Sequence, residues 1–572
     1  MKEYILEKIK LDIVKVINQA LKKKIVKASD LVYPPDLKMG DLSLPCFQLA
    51  KVIKKSPAEA ASWLLTKLKF KSSGFSSIKV IGPYLNFTIN NEFLGSDLFK
   101  MIDKEKDQYG KNKNGGKERV MIEYSNANTH KEYHIGHLRN ICFGDAVNKI
   151  LAANGNETVP VSYINDFGIH VAKTIWAYSE FFKDKKINNN KGYFLGQVYA
   201  RAIKELEKSK TGNEMVKFIM KKIESRQGNE YQLWQKTREW SIKQFNEIYQ
   251  ELGIKFTKIF YESEFIGDGL KMVDKLLKKG VLEKSQGAVI ANLEKYNLGV
   301  LMFLRSDGTA MYPVADLPLA LEKVKKYKLA KSIYVVDIRQ SLNFKQLFKV
   351  LELIGQKEKF IHLSYEFVKL PSGMMSSRTG EIITYQQLSK EIIKKAIKET
   401  KKRHKDWREN KVSEVAKAIA IGAIKFEMVK VNANQVITFD INKALQFEGY
   451  TAAYLQYTYA RVRSIFRKLG NKEHRTRNIT TKNLLENKEH EMVLKLAMFP
   501  EIVEKAGENY DPSEIAKYLF DLAQMFNDYY HRVSVLKTKE EIRDARLVLI
   551  NAVSQVLKNG LELLGIETVD EM

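Results

Sequence analysis

The sequence predicts a multidomain α/β protein: an α+β module, then a parallel, doubly wound sheet, then an all-helical end. Three observations carry this prediction. Between residues 118 and about 385, apolar strand-like runs alternate with helical stretches, the pattern of a parallel sheet covered by helices. Beyond residue 386 strand signals vanish, and helical periodicity runs to residue 572. A polar, glycine-containing linker, Lys111-Asn112-Lys113-Asn114-Gly115-Gly116-Lys117, precedes the sheet region. The expected domains are therefore 1–115, 116–385 and 386–572, and 572 residues suffice to give each a core.

Within the first module, Ile5, Leu6, Ile9, Ile13, Val16, Ile17 and Leu21 have the spacing of an amphipathic helix. A turn-rich segment follows from Tyr33 to Asp41. Ser56 and Glu59 form a capping box for a helix from Pro57 to Leu68. Ile78 to Ile89 reads as two short strands about a Gly82-Pro83 turn. In the second domain the strand-type runs are Arg119–Tyr124, Val159–Ile164, Gly299–Leu304 and Ile333–Asp337. Lysine-rich helical stretches near 180–225 and 270–285 read as insertions between strands.

Hydrophobic residues make up 44% and charged residues 28%, ordinary values for a soluble globular chain. No apolar run approaches the length that spans a bilayer. Acids interrupt Met1–Lys8, so it does not read as a signal peptide. The two cysteines, Cys46 and Cys142, fit a reducing compartment, and a cytoplasmic protein is expected. The net charge of +27 favours a polyanionic partner. An AT-rich genome also inflates Lys, Asn and Ile, so charge needs a second witness.

That witness begins between Glu123 and Arg139. The stretch holds an acid, Ser125, the amides Asn126 and Asn128, Lys131, and the tetrad His134-Ile135-Gly136-His137. A turn that leaves a strand and opens a helix offers free N–H groups and a positive dipole end, which suits phosphate. Gly136 lets a base or phosphate approach the backbone, and imidazoles three apart can both donate to phosphate oxygens. Two histidines could also ligate zinc. The sequence has no Cys-x-x-Cys pair and no carboxylate placed to complete such a site, so no protein metal site is expected.

Farther on, Tyr312 and Asp316 stand four apart and share one helix face. Gln340 follows a buried-strand run, where open α/β sheets place ligand groups. Leu370 to Gly380 is a loop rich in small hydroxyl residues with one arginine, Arg378.

Together these pieces resemble the arginyl-tRNA synthetases of class I, over nearly the whole chain. The tetrad is similar to the class signature that holds ATP, and Met374-Met375-Ser376-Ser377-Arg378 stands where the class's mobile Lys-Met-Ser-Lys-Ser loop belongs. Tyr450 to Arg461 looks like the start of a helical anticodon-binding domain.

The resemblance implies a Rossmann-fold catalytic domain with insertions near 175–230 and 260–305. An N-terminal domain would contact the tRNA elbow, and a C-terminal helical domain the anticodon. It implies an enzyme that activates L-arginine with ATP and Mg²⁺ and passes it to the 3′-terminal adenosine of tRNA(Arg), releasing AMP and pyrophosphate. His134, His137, Lys131 and Arg378 would be catalytic. ATP would meet His134, Gly136, His137, Met375, Ser376 and Ser377. Arginine would meet Glu123, Ser125, Asn126, Asn128, Tyr312, Asp316 and Gln340, with Glu123 and Asp316 facing the guanidinium. Tyr84, Asn86, Tyr457, Arg461, Tyr530 and Met572 would meet tRNA, and a monomer is expected.

Two departures stand out. Met374 occupies the loop's first lysine position and Arg378 its second; Lys131 fills a position where some arginyl enzymes with a degenerate loop carry a lysine. Asn343 stands where the family often has His in a Gln-x-x-His pattern.

Overall fold

Helix α1 (Ile5–Leu21) opens the first module, burying the stripe Ile5, Leu6, Ile9, Ile13 and Ile17 that its spacing predicts. Strand β1 (Leu42–Pro45), helices α2 (Phe47–Ile53) and α3 (Pro57–Lys67), strands β2 (Phe75–Ile81) and β3 (Tyr84–Ile89), and helix α4 (Asn91–Glu105) complete it. The α3 capping box forms: Glu59 N–H donates to Ser56 Oγ at 3.3 Å, and Ser56 N–H to Glu59 Oε2 at 2.9 Å. β2 and β3 make the hairpin read from sequence, turning at Gly82, whose φ is +56°. The structure is a computed structural model, and it describes residues 4–68, 74–112, 118–187, 190–371, 383–470, 481–484 and 486–572.

The second region is built on a five-stranded parallel sheet. Strand β4 (Arg119–Glu123) leads to helix α5 (Ile135–Ala153) and strand β5 (Glu157–Ile164). Helices α6 (Ile169–Phe181), α7 (Lys191–Leu206), α8 (Lys210–Glu224) and α9 (Gly228–Glu251) intervene before strand β6 (Lys258–Tyr261). Helix α10 (Ile266–Lys278) and a small sheet of β7 (Glu283–Ser285), β8 (Ala288–Asn292) and β9 (Val300–Leu304) follow. Helix α11 (Tyr312–Tyr327), strand β10 (Lys331–Asp337), helix α12 (Ser341–Leu353) and strand β11 (Lys359–Tyr365) close the unit. The strand order is β11-β10-β4-β5-β6, every pair parallel.

β9 departs from its expectation. Its apolar run is a strand, but it pairs antiparallel with β8 in the separate three-stranded sheet. Five apolar residues define a strand without saying which sheet receives it. β6 and β11 were not read from sequence; β6 is only four residues long, and His362 and Ser364 interrupt the apolar run of β11.

Helices α13 (Tyr385–Arg403), α14 (Glu409–Val429), α15 (Ile441–Ala444), α16 (Ala452–Lys468), α17 (Asn487–Glu508), α18 (Pro512–Arg532) and α19 (Glu540–Leu563) form the last region, which is not wholly helical as expected: a two-residue strand, Ile437–Thr438, too short to carry a pattern, pairs parallel with Val368–Lys369. One apolar core runs through all three regions. Buried Arg139 on α5 donates to the Met428 and Asn432 carbonyls at the end of α14, tying the sheet to the helical end. The first module also docks on that end. Lys10 and Tyr33 both bond Glu501, at 2.8 and 2.6 Å, and Tyr109 OH donates to the Leu496 carbonyl at 2.9 Å. Among the described residues no helix is long and apolar enough to cross a membrane.

Candidate active site

β4 is flanked by β5 on one side and by β10, which arrives much later in the chain, on the other. Strand order reverses there, and the carboxyl ends of β4 and β10 open a crevice. Glu123 ends β4, and the eleven residues to α5 wind across the crevice. Two of them, Ser125 and His130, adopt positive φ (+61° and +62°). His130 is buried and carries no free ring nitrogen: Nε2 meets Thr237 Oγ1 at 2.8 Å, and Nδ1 meets Thr129 Oγ1 at 2.9 Å. It braces the turn against α9.

The tetrad forms the first turn of α5, with His134 as N-cap. His134 Nδ1 accepts the Gly136 N–H at 3.1 Å, and His137 Nδ1 accepts the His134 N–H at 3.1 Å. Each ring must therefore be neutral with its proton on Nε2, which leaves two donors. Burial favours the same form. It lowers His134 to about 4, with Lys131 second, and pushes His137 well below its usual range, with His134 second. The rings stack at 3.9 Å. A Cβ at residue 136 would lie 2.9 Å from His134 Cε1, so glycine there also protects the imidazole's seat. The isolated antiparallel bridge His134↔Thr384, with Tyr385 N–H donating to the Tyr133 carbonyl at 2.7 Å, holds the start of helix Tyr385–Arg403 beside the tetrad. Met374, Met375, Ser376, Ser377 and Arg378 lie outside the described residues.

Lys131 sits between the tetrad and the insertion helices. Its ammonium lies 5.3 Å from the Tyr199 ring centroid, and among the described residues no carboxylate pairs with it. Burial, then Lys173, lowers its pKa.

On the other side of the turn lies a cavity of about 410 Å³, lined by Glu123, Asn126, Asn128, Tyr163, Tyr312, Asp316, Lys323, Tyr334 and Gln340, among others. Six of the seven residues expected around the amino acid thus meet at one cavity. Ser125 does not line it; the side chain is buried behind, with Oγ 2.9 Å from Tyr249 OH and 3.1 Å from Tyr133 OH. Asn126 Oδ1 is buried without a partner among the described residues, an acceptor open to a donor. Gln340 Oε1 accepts from Asn343 Nδ2 at 2.8 Å, so asparagine at the departing position still engages the glutamine.

Two residues that the sequence reading missed bear on this cavity: Lys323 lines it, and Glu262 lies behind the lining residue Asn165. Lys323, fully buried, forms an ion pair with Glu123. Glu262 follows β6 at the same sheet edge and accepts from Asn165 Nδ2 at 3.1 Å. Burial pushes Glu262 up to about 8, with Asp316 adding repulsion, and pushes Asp316 up to about 7, with Glu123 second. Two clustered acids that hold protons this firmly suit a cationic ligand, whose arrival favours their ionised forms. Lys323 was legible in principle, because it lies seven residues beyond Asp316 on the same helix face. Glu262 required β6 to be recognised first.

The expected tRNA residues fall in separate places. Tyr84 is exposed, edge-on to Phe47 at 5.9 Å, while Asn86 is buried in β3. Tyr457, Arg461 and Tyr530 converge: Arg461 donates to Tyr457 OH at 2.8 Å, and its guanidinium lies 5.4 Å from the Tyr530 ring centroid. Met572 packs against the buried cluster of Val415, Ile419 and Ala453.

Three family models match the chain. "Arginyl tRNA synthetase N terminal domain" matches residues 7–89, "tRNA synthetases class I (R), catalytic domain" residues 99–441, and "DALR anticodon binding domain" residues 455–572. The chain is 37% identical over 555 residues to the arginine–tRNA ligase of Bdellovibrio bacteriovorus, covering 95% of this chain and 94% of that one. It is 33% identical over 571 residues to the Clostridium acetobutylicum enzyme of the same name, covering 98% and 100%. Among solved structures, Thermus thermophilus arginyl-tRNA synthetase superposes with a TM-score of 0.82 at 26% identity, covering 98% of this chain and 100% of that one.

Proposed function

The chain belongs to the class I arginyl-tRNA synthetases and is an arginine–tRNA ligase; from that premise we propose how its residues divide the reaction. The turn from Glu123 to His137 separates two substrates. The cavity on the Asp316 side takes arginine, and the tetrad takes ATP. The observation that carries this division is the cavity itself, where Glu123, Asn126, Asn128, Tyr312, Asp316 and Gln340 gather from three separate stretches of chain.

A guanidinium is planar, permanently charged and rich in donors, so its pocket needs acids and neutral acceptors. Glu123 and Asp316 supply acids, and the Gln340 amide and Tyr312 hydroxyl supply acceptors. Asn126 Oδ1 and Asn128 would receive the α-ammonium group. The carboxylate then attacks the α-phosphorus of ATP in line, and pyrophosphate leaves. Catalysis of such a step is positioning and electrostatic stabilisation. His134 and His137, fixed with their protons on Nε2, donate to phosphate oxygens on which charge builds. Mg²⁺ arriving with ATP shares that neutralisation. Lys131 supplies the ammonium that Met374 cannot; by resemblance Arg378 would be catalytic, and Met375, Ser376 and Ser377 would meet ATP. The arginyl group then passes to the 3′-terminal adenosine of tRNA(Arg), and AMP is released.

We further assign the domains 1–115, 116–385 and 386–572, with the first and last holding tRNA through Tyr84, Asn86, Tyr457, Arg461, Tyr530 and Met572. The enzyme acts as a cytoplasmic monomer. ATP–pyrophosphate exchange with each amino acid, with and without total tRNA, tests the reading. Exchange that depends on arginine and tRNA is expected; exchange driven by another amino acid, or none at all, would refute it.

A further inference from the structure

Three arginines of α16 are held in two different ways. Arg463 lies 3.8 Å from the Asp570 carboxylate and Arg467 lies 3.3 Å from that of Glu571, so acids answer both charges. Arg461 has no carboxylate partner among the described residues and is held by neutral oxygens instead. Its Nη1 donates to Asn527 Oδ1 at 3.0 Å and its Nη2 to Tyr457 OH at 2.8 Å. The guanidinium lies 4.8 Å from the Tyr457 ring centroid and 5.4 Å from that of Tyr530. Asn527, on α18, is buried, and its amide has one permitted orientation. Nδ2 donates to the Ala523 carbonyl at 3.0 Å, to Thr458 Oγ1 at 2.9 Å and to Tyr454 OH at 3.0 Å. The carbonyl can only accept, and the Thr458 hydroxyl gives its own proton to the Tyr454 carbonyl at 2.8 Å, so both require the amide's NH₂ end. Oδ1 is therefore turned to Arg461.

We propose that Asn527 is a positioning residue for tRNA: it seats the Arg461 guanidinium between Tyr457 and Tyr530 and, being neutral, leaves the whole charge of Arg461 for a phosphate of the anticodon loop. This rests on the reading of Tyr457, Arg461 and Tyr530 as tRNA contacts. A long side chain that is loose on the surface loses its rotamer freedom when RNA arrives, whereas one already held has lost it on folding, and binding gains the difference. Two donors of the guanidinium are committed to Asn527 and Tyr457, which leaves the rest of its fork for a ligand. A carboxylate at position 527 would hold the fork as firmly, but it would cancel the charge whose counterion release drives binding to phosphate.

The test is filter binding of a tRNA(Arg) transcript at several salt concentrations, with aminoacylation kinetics alongside. Both are run on full-length wild type, R461A, N527A, N527D and the N527A–R461A double variant, with folding checked by circular dichroism. N527A is expected to raise the Kd and KM for tRNA about five- to tenfold, with kcat at saturating tRNA within about twofold of wild type. Made in the R461A background, the same change should cost less than about twofold, because Asn527 acts through Arg461. N527D should weaken binding at low salt and reduce the slope of log Kd on log salt by about one, the share of a single neutralised phosphate contact. A residue that only fills space between α16 and α18 would show neither the coupling nor the change in slope. An N527A variant that binds like wild type, a double variant in which N527A costs its full factor, or an N527D slope equal to wild type overturns the proposal. Where N527A fails to fold, the isosteric N527D and its slope decide. An R461A variant that binds tRNA as wild type does would instead overturn the reading of this cluster as a tRNA contact, and the proposal with it.

Discussion

Replacing Lys131 with alanine should raise the thermal stability of the free enzyme and lower its activity, and the two effects have one cause. In the substrate-free protein the ammonium is half-buried, faces Lys173 and has no carboxylate partner among the described residues. Its pKa is lowered from 10.5, so the unfolded chain binds this proton more tightly than the folded one. Below that range its charge therefore costs stability, and stability rises as pH climbs toward the unfolded value. A phosphate reverses the balance. Two unit charges about 4 Å apart at an effective dielectric constant near 20 attract by about 4 kcal/mol, and a charge-assisted hydrogen bond nets about 1.5–3 kcal/mol after desolvation. At about 1.4 kcal/mol per decade, removal costs roughly 10–100-fold. Whatever part of this arises only in the transition state appears in kcat, and the rest appears in the KM for ATP. Thermal melts and arginine-dependent exchange with tRNA read both effects, and kcat should fall at least about tenfold. Unchanged kinetics in a folded variant would remove Lys131 from the reaction. A lowered melting temperature with a matching loss of active protein would make the residue a structural one.

Asp316→Asn should raise the arginine KM by about a hundredfold or more with ATP kinetics little changed, since a pocket acid that faces a guanidinium has no neutral substitute; exchange at varied arginine decides. Asp316 and Glu262 hold protons more tightly folded than unfolded, so their contribution to stability is present at low pH and is lost as pH rises through about 7 to 8. Differential scanning fluorimetry should accordingly find the stabilisation by arginine larger at pH 8 than at pH 6, and a pH-independent increment would contradict the assignment. Gly269 of α10 is the contact against α11, where a Cβ would lie 1.8 Å from the Val314 carbonyl. Gly269→Ala should displace the helix that carries Tyr312 and Asp316, raising the arginine KM several-fold and lowering the melting temperature by a few degrees, roughly 1–3 kcal/mol of overpacking. Steady-state kinetics at both substrates would test it, and a wild-type KM would refute the coupling.

Local chemistry made much of the fold legible. Ser56 and Glu59 announced α3, Gly82-Pro83 announced a hairpin, and the run from Arg119 to Tyr124 announced the central strand. The tetrad's position at the start of α5 followed from the same kind of pattern. What stayed hidden depends on distance along the chain. The helix face that Lys323 shares with Asp316 can be read locally, but its pairing with Glu123, 200 residues away on β4, cannot. Glu262 waits on a four-residue strand too short to carry periodicity. The stack of His134 on His137, and the collision that any side chain at 136 would cause, are properties of one helical turn that pattern alone does not resolve.

The docking of the first module onto the helical end sets a schedule for the making of this protein. Lys10 meets Glu501 across 491 residues of chain, so its partner emerges from the ribosome long after it does. At about 5–20 residues per second, the interval is roughly 25–100 s. Throughout it, Lys10, Tyr33 and Tyr109 have no Glu501 or Leu496 to meet, and the apolar surface around them faces the cell instead of α17. The nascent enzyme therefore needs its first module to stand alone for about a minute, and a variant that weakens β1–β3 should reduce yield through capture by chaperones before it reduces the stability of the finished molecule.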